Sequence, residues 1–162
     1  MNSDQQSASG REESTRGGPL GGMRVLDLTD HRGDIGPWIL GELGADVIKV
    51  EPPQGCTTRA ALPIREGDDS DIRSLHFAAY SSNKRSITLD SSKDEDRETL
   101  RELIASTDFL YESGLPSATE EIGFSHDGLL EINPELVHVI VTPFGLSGPR
   151  ADRPHSELSL AS

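Results

Sequence analysis

RVLDLTDHRGDIGPWILGELGADVIKVE, residues 24–51, contains two short apolar runs on either side of a proline-initiated helical segment. Its first six residues carry a short apolar run, which is typical of a buried strand. Pro37 can begin a helix without losing a hydrogen bond, so we predict a short helix over Trp38–Leu43 that ends with Gly44 in the left-handed conformation. A second strand is predicted over Asp46–Glu51, where two prolines stop it. The stretch therefore predicts a β-α-β unit.

The carboxyl-terminal part of the chain continues this alternation. The sequence predicts a strand over Ser86–Asp90, a helix over Lys93–Thr107 begun by a capping box of Ser92 and Glu95, a strand over Phe109–Tyr111, a helix over Ser125–Ile132 with Ser125 as its cap, and a strand over Leu136–Thr142. Strands that alternate with helices form a parallel sheet with helices on its faces. We therefore predict the α/β class, with a Rossmann-like, mostly parallel sheet and flanking helices.

Two segments lack this periodicity. Residues 1–22 consist mainly of Ser, Gly, Gln and charged residues, and we predict a disordered tail because the segment has almost nothing to bury. Residues 52–83 contain Pro, Gly and a run of acidic residues, and we predict a long loop, a kind of segment that is usually functional or disordered. The ordered domain is expected over residues 23–162.

The composition argues against several classes of function. A chain of 162 residues is long enough for one domain. With 15 Lys and Arg against 28 Asp and Glu, its net charge is −13, opposite in sign to that of a nucleic-acid binder or a polybasic membrane-surface protein. No apolar run approaches the ~20 residues of a membrane-spanning helix. Cys56 is the only cysteine, and the histidines have no metal-binding spacing. We expect a cytoplasmic protein with no metal, nucleic acid or membrane partner.

Ligands of a parallel sheet bind at the carboxyl ends of its strands. The candidate binding segments are therefore the loops that follow the predicted strands, namely residues 30–36, 52–59, 90–93, 112–116 and 143–153. No Gly-rich dinucleotide motif and no Walker motif is present. The basic pair Lys84-Arg85 has two interpretations that stay open: it holds a phosphate or pyrophosphate, or it is a solvated pair that balances nearby acids such as Glu51 and Asp90.

Several segments taken together resemble one family. GMRVLDLT at residues 22–29, LGADVIKVEPP at 43–53 and NKRSITLD at 83–90 are similar to the amino-terminal half of family III coenzyme A transferases, and INPELV at 132–137 and FGLSGP at 144–149 extend the similarity in the same order. The resemblance runs from about residue 20 to the last residue. It implies a Rossmann-like large domain that binds CoA and a smaller second domain.

The resemblance also implies that this chain is incomplete relative to the family's two-domain, interlocked fold. Family members are more than twice as long and form ring-like dimers, so a homodimer is expected for a full-length protein. Their nucleophile is an aspartate that attacks the acyl-CoA thioester, and it falls beyond the position that matches Ser162. The resemblance therefore assigns no catalytic residue here, and the isolated chain is expected to be inactive.

Three segments match CoA-contacting positions of the family. His31, Arg32 and Gly33 match a loop near the thioester and pantetheine. Leu89 to Ser92 match a segment around the adenosine and phosphates, although Ser92 stands where some members have Lys. The positions that line the CoA channel are matched by Ser113, Gly114 and Leu115, all of which depart from the family pattern, and Glu121 reverses the charge of a common arginine.

The leading hypothesis is a CoA-transferase-like protein that moves CoA between an acyl-CoA and a small carboxylate through an enzyme aspartyl intermediate, with CoA or acyl-CoA as its substrate. The cations available for CoA phosphates in so acidic a chain are Arg32, Lys84 and Arg85 among others. Two alternatives remain open: a non-catalytic, degenerate CoA-binding or interaction module, and a truncated chain that does not fold stably alone.

Overall fold

The computed structural model describes residues 17–67, 72–114, 124–151 and 153. Within them, strands β1 to β5 span Arg24–Leu28, Asp46–Glu51, Arg85–Thr88, Phe109–Ser113 and Val137–Val141. Helices α1 to α4 span Ile35–Glu42, Leu75–Tyr80, Asp94–Ala105 and His126–Ile132, and a 3₁₀ helix covers Thr57–Ala60. The predicted alternation of strands and helices is confirmed.

The five strands form one sheet in the order β3-β2-β1-β4-β5, and every neighbouring pair is parallel. The chain builds outward from β1 to β3 and then returns to the other side of β1 to place β4. The loops after β1 and β4 therefore leave neighbouring strands in opposite directions, an arrangement that opens a crevice at the carboxyl end of the sheet. The α/β fold class is confirmed.

Side chains alternate between the two faces of the sheet because the strand period is two. On one face, Leu26, Ile48 and Leu110 of adjacent strands are buried against Leu100 and Ile104 of α3. On the other face, Val25 and Val47 form a smaller core with half-buried Leu40 of α1. The two cores hold α3 and α1 on opposite faces.

The segment that precedes β1 is partly structured. Residues 1–16 lie outside the described residues, whereas residues 17–22 form turns. The Leu20 N–H donates to the Leu43 carbonyl at 3.0 Å, and Leu20 packs against the smaller core. The predicted boundary of the tail at residue 22 is therefore wrong for residues 17–22, which belong to the described fold.

The prediction of a loop over residues 52–83 is wrong for two short helices, the 3₁₀ helix and α2. The hydroxyl of Ser74 caps α2 by accepting a hydrogen bond from Phe77 N–H, and Phe77 is buried. Helices of four and six residues are too short to display a helical period in the sequence.

Two helix starts differ from the prediction. α1 begins at Ile35, ahead of Pro37, because the first four N–H groups of a helix have no partner within it and a proline among them loses nothing. The predicted capping box of Ser92 and Glu95 is wrong, since Lys93 is the cap residue of α3 and the Ser92 hydroxyl donates to Asp90 instead. The Ser125 cap of α4 is confirmed by its bond from Gly128 N–H.

Candidate functional site

The loop after β1 and the end of β4 meet at the carboxyl end of the sheet. Asp30 N–H donates to Ser113 Oγ at 2.7 Å, and the Ser113 hydroxyl donates to Asp30 Oδ1 at 2.8 Å. This reciprocal pair brings the predicted residues 31–33 beside Ser113 and Gly114. Leu115 lies outside the described residues.

Arg32 is engaged within its own loop. Its guanidinium forms a fork to the carboxylate of Asp30, with Nε 3.0 and 2.9 Å from the two oxygens. Burial opposes ionisation of Asp30, but the hydrogen bonds from Arg32 and Ser113 outweigh it and lower the pKa of Asp30 to about 2. The hydrogen bonds that Arg32 donates to Asp30 outweigh burial and raise the pKa of Arg32. Arg32 therefore reaches a phosphate only by sharing or leaving this carboxylate.

Gly33 permits a close approach between the loop and the end of β1. A Cβ at this position would lie 2.7 Å from Thr29 Cγ2 and 2.9 Å from Thr29 Cβ. Thr29 is itself buried and cannot move aside freely. The loop after β1 can adopt this path only with glycine at position 33.

Below this loop lies a cluster of four buried charges, Asp27, Asp34, Lys49 and Lys84, called here the charge cluster. Their side chains are at most 2 % exposed. Lys84 Nζ is 2.7 Å from Asp27 Oδ2, and Lys49 Nζ is 3.3 Å from the same oxygen and 3.1 Å from Asp34 Oδ1. Burial disfavours the charged form of Lys49, but Asp27 and Asp34 outweigh it and raise the pKa of Lys49.

The structure places the side chains of Lys84 and Arg85, the predicted basic pair, in two different environments. Lys84 belongs to the charge cluster and is not solvated, whereas the Arg85 side chain is 59 % exposed and pairs with Asp46. Glu51 is bound by Arg59, and Asp90 lies near Lys93. The two cations therefore form no common clamp, and neither balances the acids expected of a solvated pair.

Sequence reasoning missed Asp27, Asp34 and Lys49 as members of this cluster. A signal was present, because Asp27 and Lys49 are the charged residues inside two otherwise apolar predicted strands. They occupy matching positions of the parallel pair β1 and β2. A charge in a buried strand requires a partner, and these two strands supply charges of opposite sign at the same level.

A cavity of about 210 Å³ opens at the carboxyl ends of the strands on the opposite face of the sheet. Its walls come from β1, β2, the chain after β3 and α3, with Leu28, Val50, Glu51, Pro52, Leu89, Ser91, Asp96, Arg97 and Leu100 as lining residues. Leu89 thus lines the cavity, while Ser92 is not among the lining residues. Within the part of the chain that the structure describes, Arg97 has no ion-pair partner.

The two acids of this cavity are already engaged. Glu51 accepts hydrogen bonds from the Arg59 guanidinium at 2.5 and 2.8 Å, and these, with bonds from Ser86 and Cys56, outweigh burial and lower the pKa of Glu51 to about 2. Asp96 accepts a bond from Asp90 N–H at 2.8 Å. Among the residues that the structure describes, Arg97 is the charge in this cavity that remains available to a ligand.

A larger space of about 550 Å³ lies between α3 and α4, lined in part by Arg97, Arg101 and Phe124. The predicted position Glu121 belongs to residues 115–123, which lie outside the described residues. Arg97 lines both spaces.

A hydrogen-bonded chain of three titratable side chains joins the last two strands to α4. His138 Nε2 is 2.7 Å from buried Glu112, and His138 Nδ1 is 2.9 Å from Nδ1 of His126. His138 is therefore an imidazole with polar partners inside the fold. Over the described ranges, no group of three His, Cys, Asp or Glu residues is placed to hold a metal ion, and no helix is long and apolar enough to cross a membrane.

Comparison with known proteins gives a consistent result. The model of CoA-transferase family III matches residues 20–161. The formyl-CoA:oxalate CoA-transferase of Streptomyces avermitilis is 40 % identical over 134 residues, which are 82 % of this chain and 32 % of that protein. The β subunit of succinyl-CoA–L-malate CoA-transferase from Chloroflexus aurantiacus is 40 % identical over 139 residues, 84 % of this chain and 33 % of that subunit.

Solved structures agree with the sequence comparison. The crystal structure of a CAIB/BAIF family protein from Brucella suis superposes with a TM-score of 0.71 at 38 % identity, and covers 88 % of this chain and 38 % of that one. The chain spans about a third of the length of the curated relatives it matches.

Proposed function

The chain belongs to CoA-transferase family III, and we propose that the carboxyl end of its sheet holds the CoA part of an acyl-CoA. The observation that carries this proposal is the apolar cavity at the ends of β1 and β2, with Leu89 in its wall and Arg97 at its edge. A flat adenine ring is accommodated by apolar walls, and a guanidinium is suited to a neighbouring phosphate. The relatives named above act on CoA thioesters.

The loop after β1 is the proposed contact for the other end of CoA. Residues 31–33 lie beside Ser113 and Gly114, where the chain leaves the neighbouring strands β1 and β4 in opposite directions, the usual place for a ligand in this class of sheet. His31 is exposed at this surface. We assign the pantetheine and thioester to this loop and the nucleotide to the cavity near Leu89.

The transfer step needs a carboxylate nucleophile. We propose that CoA moves between an acyl-CoA and a small carboxylate through an enzyme aspartate: an oxygen of the aspartate attacks the thioester carbon, the carbon–sulfur bond breaks, and CoA leaves as the thiolate. No described residue is assigned this role. We therefore expect the 162-residue chain to bind CoA without turning it over, and a full-length protein of this family to work as a homodimer.

One observation favours the alternative, a non-catalytic and degenerate CoA site. Arg32, Lys84 and Arg85, the cations expected to meet the phosphates, are all bound to carboxylates of the chain itself. Anion binding then depends on Arg97, Arg101 and backbone N–H groups. Weak affinity for CoA follows from this shortage of available cations.

Calorimetric titration of the 162-residue chain tests the proposal, with CoA, 3′,5′-ADP and pantetheine as separate probes. We expect CoA to bind with a dissociation constant on the order of 10–100 µM and 3′,5′-ADP to compete with it. Leu89→Asp places a carboxylate in the cavity and should weaken CoA binding about tenfold or more. Leu62→Asp makes the same charge change at an 80 % exposed site and should alter it less than about twofold.

Absence of CoA binding at about 1 mM, in a chain whose circular dichroism shows a cooperative thermal transition, would establish the degenerate alternative. Equal effects of the two substitutions would exclude the cavity as the nucleotide site.

A further inference from the structure

We propose that the charge cluster positions the loop at residues 30–33, so that Lys49 and Lys84 act as positioning residues for the loop and not as ligands for phosphate. The proposal rests on the proposed function only where it concerns CoA affinity. Its structural part, that the cluster sets the conformation of this loop, holds or fails without a ligand.

Two residues bracket the loop, and the cluster binds the backbone of both. Lys49 Nζ donates to the Thr29 carbonyl at 2.9 Å, ahead of the loop. Lys84 Nζ donates to the Asp34 carbonyl at 3.2 Å, behind it. Both ammonium groups also bind the carboxylate of Asp27, which is fully buried within β1. Through the two lysines, both ends of the loop are anchored to the same buried carboxylate in the sheet.

The side chains at the two ends are tied to the same groups. Thr29 Oγ1 lies 2.6 Å from Asp27 Oδ1 and 3.2 Å from Asp34 Oδ1, and Lys49 reaches Asp34 Oδ1 at 3.1 Å. Hydrogen bonds between charged groups shielded from water are shorter and stronger than those at a surface. The path of the loop is therefore coupled to the charge cluster through side chains as well as carbonyls.

The loop also has contacts of its own. Gly33 N–H and Asp34 N–H both donate to the Asp30 carbonyl at 3.1 Å, and these bonds shape the turn. Asp30 is joined to Ser113 of β4 by two hydrogen bonds, which hold one side of the loop against the neighbouring strand. The lysines act at Thr29 and Asp34, so the charge cluster and Ser113 hold the loop at different points.

The cluster also extends to the protein surface through α2. The second oxygen of Asp34 is 3.2 Å from Nε2 of His76, a residue whose side chain is 24 % exposed. The helix that the sequence failed to predict is thus connected to the loop through a single carboxylate. Asp34 joins the loop, α2 and the sheet.

Amide hydrogen exchange of the 162-residue chain, followed by NMR without ligand, tests the positioning role. The double variant Asp27→Asn/Lys84→Met removes one charge of each sign and keeps the cluster balanced. We expect the hydrogen-bonded amides of Arg32, Gly33 and Asp34 to exchange at least about tenfold faster, and those of β5 to stay within about twofold. Arg85→Gln/Asp46→Asn, which removes one charge of each sign from an ion pair outside the charge cluster, is the matched control and should leave the loop amides unchanged.

Thr29→Val provides a second variant that keeps every charge and nearly the same shape, in case the double variant does not fold. Loss of its hydroxyl bonds to Asp27 and Asp34 should accelerate loop exchange about threefold to tenfold. Loop amides that exchange as in the wild type in every folded variant of the cluster would overturn the proposal.

CoA titration of the same variants separates this inference from the proposed function. Weakened CoA binding together with faster loop exchange supports both. Faster exchange in a chain that binds no CoA, wild type included, removes the proposed function and leaves the positioning role standing. Unchanged loop exchange with intact CoA binding does the reverse.

Discussion

At the carboxyl end of the sheet, the side chains of the two faces are buried by different kinds of contact. Leu26 and Asp27 are neighbours in β1, as are Ile48 and Lys49 in β2, and in each strand the first residue faces α3 while the second faces the charge cluster. The face toward α3 is apolar and leaves a cavity at the carboxyl end of the sheet. The other face fills the corresponding space with ion pairs. One face therefore offers room for a ligand, and the other supplies a rigid support for a loop.

The buried charges of this fold therefore serve to position the backbone of a loop more than to contact a ligand. Apolar contacts tolerate a range of arrangements, because dispersion is not directional. Four buried charges that share hydrogen bonds tolerate few arrangements, since any movement leaves a buried charge without a partner. A loop that must keep one conformation is better supported from the charged face.

The largest effect should come from breaking the balance of the charge cluster. Lys49→Met leaves two buried carboxylates facing one lysine, and we expect it to lower the free energy of unfolding by about 3–5 kcal/mol. Urea denaturation followed by circular dichroism measures this. Lys93→Met removes the same charge at a 67 % exposed site, where a loss below about 0.5 kcal/mol is expected. If the two variants lose similar stability, the charge cluster is not the rigid element described here.

A charge-balanced replacement sharpens the contrast. Asp34→Asn added to Lys49→Met should recover part of the loss, because the remaining pair of Asp27 and Lys84 is again neutral.

On the apolar face, a smaller effect is expected from Leu100→Ala. Leu100 is 5 % exposed, packs in the main core and lines the cavity. Its truncation should lower the free energy of unfolding by about 2–4 kcal/mol and enlarge the cavity. The same denaturation experiment applies, and Asp34→Asn, which is expected to recover part of the loss in Lys49→Met, should recover none of it here. Recovery by Asp34→Asn would mean that the two faces are not energetically separate.

The smallest effect concerns Glu51, which ends β2 beyond Lys49, and it depends on pH. Hydrogen bonds from Arg59, opposed by burial, hold the pKa of Glu51 at about 2, against an ordinary value of 4.5. A carboxyl group whose pKa is lowered by folding stabilises the fold at pH values above its ordinary pKa. This stabilisation is lost as the pH falls toward 2. Glu51→Gln should therefore cost about 1–3 kcal/mol at pH 7 and progressively less between pH 5 and pH 2.

Urea denaturation of wild type and Glu51→Gln at pH 7, 4 and 3 measures this difference. A difference that stays constant over this range would show that the ionised form of Glu51 contributes nothing.

The sequence predicted the sheet because the apolar runs of β1, β2 and β5 each coincide with one strand, buried in β1 and β2 and half-buried in most of β5. It did not predict α2, because six residues are fewer than two helical turns. The fate of Lys84 and Arg85 could not be read from their adjacency. Consecutive residues at the entrance to a strand point to opposite sides, so Lys84 enters the charge cluster while Arg85 reaches Asp46.

The candidate site was predictable only in part. The strand-end rule and the family resemblance placed residues 31–33 and Leu89 at the carboxyl end of the sheet, which is where they lie. Arg97 was not expected there, because its position depends on how α3 packs across β2 and not on any local motif. Contacts that join distant segments require the fold itself.

The neutrality of the charge cluster bears on how the association of CoA depends on ionic strength. Since Asp27 and Asp34 cancel Lys49 and Lys84, the net charge of −13 lies entirely outside the cluster. An anion as highly charged as CoA approaches against that field, which added salt screens over about 10 Å at 0.1 M. Its association should therefore become faster as salt is added, the opposite of the trend for a protein that attracts its anionic ligand through a basic surface.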